Sequence, residues 1–109
     1  MKEFIIINQR TDRFGKFKEK RDNLDIRFTK FILKIGMVPL LIPNDKKIIK
    51  HFLNSSIKIK GIILSPGGDP RIKDDRSYVE NKLIKHAIRR KLPLLGLCRG
   101  AQKLNLYFG

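Results

Sequence analysis

The sequence has little cysteine, little acidic charge and no long apolar run, and each shortage excludes a class of protein. The single cysteine, Cys98, excludes an internal disulfide and a metal site built from several cysteines, and it is typical of a reducing compartment. No apolar run approaches the length of a membrane span, and Phe4 to Ile7 is too short for the core of a signal peptide. The 109 residues suffice for one small domain. We therefore expect a cytoplasmic protein with a thin core.

The shortage of acidic residues leaves the chain strongly basic. Against 25 lysines and arginines there are 10 aspartates and glutamates, for a net charge of +15. Such a charge favours nucleic-acid binding through phosphate contacts. However, no run reaches five basic residues, and the densest groups, Lys16 to Arg21 and Arg89 to Lys91, lack the series of stacking aromatics that single-strand binders use. We interpret the charge as a solvated surface suited at most to an anionic substrate, with nucleic-acid binding as the weaker alternative.

Short apolar runs alternate with amphipathic helical patterns along the chain. This alternation, with short connections, is typical of βαβ crossovers and predicts an α/β fold with a doubly wound parallel sheet and flanking helices. The segment after the first strand, Gln9 to Arg21, is predicted to be a polar loop. The predicted strands are Glu3 to Asn8, Met37 to Ile42, Ile59 to Leu64 and Leu92 to Leu97; the predicted helices are Asp22 to Gly36, a short helix capped by Asn44 or Asp45 and ending near Leu53, Asp74 to about Arg90, and Ala101 to Phe108.

Cys98 lies at a corner between a predicted strand and a predicted helix, with Gly96 and Gly100 close on either side. Such a corner presents a nucleophile at the edge of the sheet, and the N-terminal end of a helix favours a thiolate. The alternative is a buried, unreactive cysteine packed between two glycines. The local spacing leaves both interpretations open.

A second segment, at the end of another predicted strand, favours the nucleophile. Ligands bind beyond the carboxyl ends of parallel strands, and there Ser65-Pro66-Gly67-Gly68 would meet Cys98. The N–H group of Gly67 or Gly68, together with the N–H group of Arg99, would form an oxyanion hole beside the sulfur. Taken alone, the two glycines are better explained by a sharp turn that needs positive φ angles, and it is the pairing with Cys98 that favours the oxyanion hole.

Two segments of the sequence resemble the class I glutamine amidotransferases, in the branch of the γ-glutamyl-γ-aminobutyrate hydrolases and γ-glutamyl peptidases. The finer similarity is to short members that look like γ-glutamyl-CDP-amidate hydrolases. The resemblance implies a flavodoxin-like sheet. The segments are Gly96-Leu97-Cys98-Arg99-Gly100-Ala101-Gln102 and Leu64-Ser65-Pro66-Gly67-Gly68-Asp69, with further matches at Gln9-Arg10, Arg21 to Asp25, Gly36 to Pro43, Asp75-Arg76 with Glu80, and Leu104 to Gly109.

The resemblance also implies a mechanism. Cys98 would attack a γ-glutamyl amide to form a thioester, and water would then release glutamate without a metal or another cofactor. Gln102 is similar to the family position that holds the glutamyl part of this small-molecule substrate. Arg10 and Glu80 match positions that line or brace the site, and we assign them to the substrate side. Their alternatives are a solvated arginine and a salt bridge on a helix surface.

No histidine follows Cys98 within residues 1–109, although the resemblance requires one there. The family's general base is a histidine that follows the cysteine in sequence, with a glutamate two residues later, and no such pair follows Cys98. His51 and His86 precede it and are predicted to be exposed helix residues. Residues 1–109 are therefore expected to be the N-terminal part of a single domain, truncated after the nucleophile strand and its helix, with that strand's edge uncovered.

Activity would then need a complementing chain that carries the histidine and the glutamate, because acid–base assistance is worth ~10² to 10⁴-fold in rate. The predicted function is the hydrolysis of a γ-glutamyl amide, incomplete in residues 1–109. A non-catalytic remnant that only binds γ-glutamyl compounds is the alternative.

Overall fold

The computed structural model describes residues 2–109, and its central sheet is parallel. The elements in chain order are β1 (Phe4–Asn8), β2 (Arg10–Phe14), β3 (Glu19–Asn23), α1 (Ile26–Lys34), β4 (Val38–Ile42), α2 (Ile48–Leu53), β5 (Ile59–Leu64), α3 (Asp75–Arg90), β6 (Leu94–Gly96) and α4 (Arg99–Phe108). None of the helices within residues 2–109 is long and apolar enough to cross a membrane.

The sheet has the strand order β4-β1-β5-β6, and every pair in it is parallel. Successive side chains of a strand point to opposite faces, so the continuous apolar run of β1 serves two cores. Ile6 packs in a buried cluster with Leu83 of α3, whereas Ile5 and Ile7 pack in a second cluster with Ile32 of α1. Helices therefore cover both faces, and the predicted doubly wound α/β fold is confirmed.

The predicted polar loop Gln9 to Arg21 is wrong, because this segment forms most of an antiparallel hairpin. Strands β2 and β3 pair from Arg10 opposite Asn23 to Phe14 opposite Glu19. The turn between them contains two residues with positive φ, Gly15 and Lys18. Apart from Phe14, the two strands contain only polar residues, so the sequence lacks the alternation of apolar and polar residues that predicts a strand. The same pairing corrects the start of α1, since Asp22 lies in β3.

Helix α1 begins at Ile26, and Asp25 caps it by accepting a hydrogen bond of 2.9 Å from the Arg27 N–H group. At the other end of the chain, β6 is a three-residue strand, shorter than the predicted Leu92 to Leu97. Helix α4 begins at Arg99, two residues before the predicted start. The connection between β6 and α4 is consequently very short.

Strand β6 is the edge of the described sheet and pairs with β5 alone. Its side chain Leu95 is exposed, and the neighbouring helix α4 exposes Leu106 and Phe108. The expectation that the nucleophile strand has an uncovered edge is therefore confirmed for residues 2–109.

Candidate active site

Cys98 occupies the N-cap position of α4, directly after β6, with φ of 52° and ψ of −106°. A positive φ is strained for a residue with a side chain and costs about 1–3 kcal/mol, so it persists only where the surroundings impose it. Here the Leu97 N–H group donates to the Leu64 carbonyl at 3.0 Å, which ties the corner to the end of β5. A Cβ atom on Gly100 would overlap that same carbonyl. The corner is thus held by backbone contacts, and it leaves the thiol exposed.

The alternative of a buried, packed cysteine is therefore wrong. Helix α4 starts at Arg99, one residue after Cys98. The N–H group of Arg99 is therefore one of the first four N–H groups of the helix, which have no acceptor inside the helix. An exposed sulfur beside the N–H group of Arg99 is the local arrangement that a nucleophile needs.

The residues Ser65 to Asp69, which we call the glycine loop, follow β5. Gly67 and Gly68 both have positive φ, at 103° and 79°. Space is restricted as well, since a Cβ atom on Gly67 would lie 2.5 Å from Nη1 of Arg10, and one on Gly68 would lie 2.8 Å from Nη1 of Arg99. Both the backbone conformation and the close approach of arginine side chains explain the glycines.

Arg76, near the start of α3, is bonded to the backbone of the glycine loop. Its Nη1 donates to the Gly67 carbonyl at 2.6 Å, and its Nη2 donates to the carbonyls of Ser65 at 3.0 Å and Pro66 at 3.2 Å. Burial and the nearby positive charge of Arg99 lower the pKa of Arg76 to about 10, so the side chain is charged at neutral pH. Sequence reasoning included Arg76 only as a matching position and gave it no role.

Glu80 lies one turn further along α3 and is completely buried between two arginines. Its Oε1 accepts from Nη2 of Arg99 at 2.8 Å and its Oε2 accepts from Nε of Arg99 at 3.3 Å, while Nε of Arg76 is 3.8 Å from Oε2. The ion pairs are buried, so the alternative of a surface salt bridge is wrong. The carboxylate faces the arginines behind the glycine loop, and a role on the substrate side stays a prediction.

Arg10 also packs against the glycine loop, over Gly67. Its Nε donates to Oδ2 of Asp12 at 2.7 Å and its Nη2 donates to Oδ1 at 3.2 Å. Hydrogen bonds from Asn23 and from Arg10 lower the pKa of Asp12 below its usual value. Arg10 is therefore fixed in orientation by the hairpin, and it is half-exposed rather than fully solvated.

Gln102 lines a cleft of about 590 Å³ together with Gly68 and Asp69. It is exposed on α4, four residues after Cys98 and thus on the same side of the helix. Arg71 also lines the cleft and is paired with Asp69 at 2.9 Å. The structure brings Gln102 and the Gly68–Asp69 end of the glycine loop to one cavity of a size that suits small molecules, and Cys98 is not among the residues that line it.

Asn8 is a buried support of the glycine loop that sequence reasoning missed. Its Oδ1 accepts a hydrogen bond of 2.7 Å from the Ser65 N–H group. The sequence held one signal for this role, because Asn8 is a polar residue at the end of the apolar run of β1. A polar side chain buried at that point needs a hydrogen-bond partner. The loop is therefore bonded from β1 and from α3.

The two histidines have different surroundings. His51 is exposed in the last turn of α2, as expected. His86 is buried in α3, so the prediction that it is exposed is wrong: it lies beside Lys58 and Ile59, at the amino end of β5. Burial, and then the positive charges of Arg90 and Arg89, lower the pKa of His86. His86 thus sits at the end of the sheet opposite Cys98.

The chain is similar to several known proteins. It is 34% identical over 116 aligned positions to the γ-glutamyl-CDP-amidate hydrolase of Campylobacter jejuni, covering 96% of this chain and 55% of that protein. A glutamine amidotransferase-like protein of Rickettsia prowazekii is 30% identical over 97 residues, covering 74% of this chain and 33% of that protein. A glutamine amidotransferase-like protein of Lactococcus lactis is 37% identical over 87 residues, covering 69% and 37%.

The chain thus spans about half the length, or less, of the curated relatives it matches. The relatives give no support for a separate chain that supplies the histidine and the glutamate, and this stays a prediction. A family model for peptidase C26 matches residues 5–109. These matches confirm the resemblance to the class I glutamine amidotransferases, and the chain belongs to the peptidase C26 family.

Proposed function

We propose that residues 1–109 form the nucleophile-bearing part of a single peptidase C26 domain that hydrolyses γ-glutamyl amides. The observation that carries the proposal is the exposed Cys98, held at positive φ at the start of α4 and supported by the end of β5. The strained strand-to-helix turn is the arrangement that exposes a nucleophile above a parallel sheet. The name of the Campylobacter relative supports a γ-glutamyl compound as the substrate class.

The reaction proceeds in two steps. The thiolate of Cys98 attacks the γ-carbonyl carbon and forms a C–S bond, while the N–H groups of Arg99 and of Gly67 or Gly68 bind the resulting oxyanion. The C–N bond then breaks, and the amine leaves with the proton that the Cys98 thiol lost on becoming a thiolate, so that a γ-glutamyl thioester remains. Water attacks the thioester, releases glutamate and returns a proton to the sulfur.

The substrate would lie in the cleft beside the glycine loop. Gln102 projects from α4 into this cleft and would hydrogen-bond the glutamyl end. Arg10 lies over Gly67 and, with the net charge of +15, suits a substrate whose other end is anionic, such as a nucleotide amidate. Glu80 stabilises the arginines behind the loop.

The second candidate function is γ-glutamyl binding without turnover. It is favoured by the position of the histidines, since His86 is buried at the opposite end of the sheet and His51 lies in the helix that leads to that end. Neither is placed to protonate the leaving amine. Release of glutamate from γ-glutamyl conjugates by the purified chain would contradict this second function.

A glutamine-like diazo-ketone tests the proposed nucleophile. The thiol displaces N₂ from the reagent and forms a stable C–S bond, which intact-mass spectrometry detects. We expect one label on the wild-type chain and none on Cys98→Ser, because Cys98 is the only thiol. Equal labelling of the two proteins would contradict the proposal.

A further inference from the structure

Arg76 makes an unusual set of contacts for a buried arginine, since most of its donors bind backbone. The side chain is 4% exposed, and it donates to three successive carbonyls, those of Ser65, Pro66 and Gly67. It also reaches the Ser65 hydroxyl oxygen, with Nη2 at 3.3 Å. One side chain thus fixes the orientation of consecutive peptide units in the glycine loop.

The fixed carbonyls determine where the N–H groups of the loop point. A trans peptide unit is planar, and its C=O and N–H groups point in opposite directions. The Pro66 carbonyl shares its unit with the Gly67 N–H group, and the Gly67 carbonyl shares its unit with the Gly68 N–H group. Because both carbonyls point toward Arg76, both N–H groups point away from it, and neighbouring N–H groups that point the same way form an anion site.

Arg76 itself is held from behind. Glu80 lies one helical turn away in α3, with its Oε2 3.8 Å from Nε of Arg76, and the same carboxylate pairs with Arg99. Arg99 in turn donates from Nη1 to the Asp69 carbonyl at 3.2 Å, at the end of the glycine loop. The two guanidinium groups therefore hold both ends of the loop, and Glu80 fixes their separation.

A positive charge bonded to a carbonyl oxygen has a second effect. It polarises the peptide unit, and the N–H group of that unit becomes a stronger donor. The Gly67–Gly68 unit accepts the shortest of the Arg76 bonds, at 2.6 Å from Nη1. The Gly68 N–H group thus gains both direction and strength from Arg76.

We propose that Arg76 is a positioning residue that aims the N–H groups of Gly67 and Gly68 at the oxyanion formed on Cys98. This inference rests on the proposed function, because it needs an acyl transfer at Cys98. Arg76 touches neither the substrate nor the sulfur in this scheme. It acts through the backbone of the glycine loop, and Glu80 keeps it in place.

The test compares two reactions of the same sulfur. A γ-glutamyl phenyl thioester acylates Cys98 through an oxyanion, and thiophenol leaves without the help of a general acid; iodoacetamide alkylates Cys98 without any oxyanion. Stopped-flow or intact-mass measurements give both rates, with Cys98→Ser as the background for thioester breakdown. Arg21→Gln, an exposed arginine of the hairpin, is the matched control for loss of one positive charge.

We expect Arg76→Gln to slow acylation by about 100-fold, the usual effect of losing an oxyanion donor, and to leave alkylation unchanged. Arg76→Lys keeps the charge and reaches fewer carbonyls, so its acylation rate falls between those of the wild type and Arg76→Gln. If Arg76→Gln fails to fold, Arg76→Lys decides the question. Acylation of the folded variant at the wild-type rate overturns the inference, and so does an equal loss in both reactions.

The proposed function fails in a different way. If the γ-glutamyl thioester acylates the wild-type chain no faster than an acetyl thioester does, this result contradicts a γ-glutamyl site at Cys98. If the wild-type chain prefers the γ-glutamyl thioester and the Arg76 variant retains the full acylation rate, only the positioning role of Arg76 is contradicted.

Discussion

The two arginines behind the glycine loop, Arg76 and Arg99, and the exposed Arg21 of the β2–β3 hairpin have the same charge and very different surroundings. Arg76 and Arg99 are buried, share the completely buried carboxylate of Glu80 and bind backbone carbonyls. Arg21 of the hairpin is 55% exposed and pairs with the exposed Glu19. The positive charge of the chain therefore includes buried arginines that hold the backbone of a loop and exposed arginines that are solvated. Burial, rather than charge, distinguishes Arg76 and Arg99 from Arg21.

The largest effect is expected when the carboxylate of each region is removed. Glu80→Gln leaves Arg76 and Arg99 buried without their counter-charge, which should lower the free energy of unfolding by about 3–5 kcal/mol. Glu19→Gln breaks an exposed pair and should cost less than about 1 kcal/mol. Urea unfolding followed by circular dichroism measures both. Similar small losses for the two variants would show that the buried network does not stabilise the fold.

A comparison of two glycines gives the next largest effect. Gly100→Ala places a Cβ atom against the Leu64 carbonyl, where backbone cannot move aside, and should destabilise the protein by about 3 kcal/mol or more. Gly15→Ala in the hairpin turn meets no neighbouring atom but keeps a φ of 73°, so about 1–2 kcal/mol is expected. Thermal unfolding of the two variants measures which substitution destabilises the protein more. A larger loss for Gly15→Ala would show that the Cys98 corner is less tightly packed than the hairpin turn.

The smallest effect separates a buried from an exposed histidine. Burial, with Arg90 and Arg89 nearby, lowers the pKa of His86 in the folded protein, so the unfolded chain takes up the proton first. Stability from this group is present above the unfolded pKa of about 6.5, and it is lost as the pH falls below that value and through the lower pKa of the folded protein.

Unfolding midpoints measured on either side of that pH check the prediction. The loss of stability at low pH should shrink in His86→Gln and stay at the wild-type level in His51→Gln. If the two variants lose the same stability on acidification, His86 is not the group responsible.

The central sheet could be predicted because each of its strands reads as an apolar run. Ile5, Ile6 and Ile7 serve cores on both faces of the sheet, so a continuous run is what the fold requires. The hairpin could not be predicted in this way. Its strand pairs join polar residues such as Thr11 and Asp22, whose side chains bond each other at 2.9 Å and leave no apolar pattern.

The candidate site was predictable where its chemistry is local. The exposed corner at Cys98 and the turn at Gly67 and Gly68 follow from short stretches of sequence. Arg76 was not given a role, because its bonds join a helix to backbone carbonyls about ten residues earlier, and no residue pattern encodes such bonds. The buried position of His86 was missed because its side chain packs at the amino end of β5.

The preference of Cys98 for a γ-glutamyl chain length tests the central claim most directly. A glutamine-length diazo-ketone and its analogue one methylene shorter have the same reactive group, and iodoacetamide corrects for the reactivity of the thiol. If the glycine loop and Gln102 hold a γ-glutamyl group at Cys98, the longer reagent should label the wild-type chain about tenfold faster or more. Equal rates for the two diazo-ketones would contradict the account, because Cys98 would then be an exposed thiol without a γ-glutamyl site.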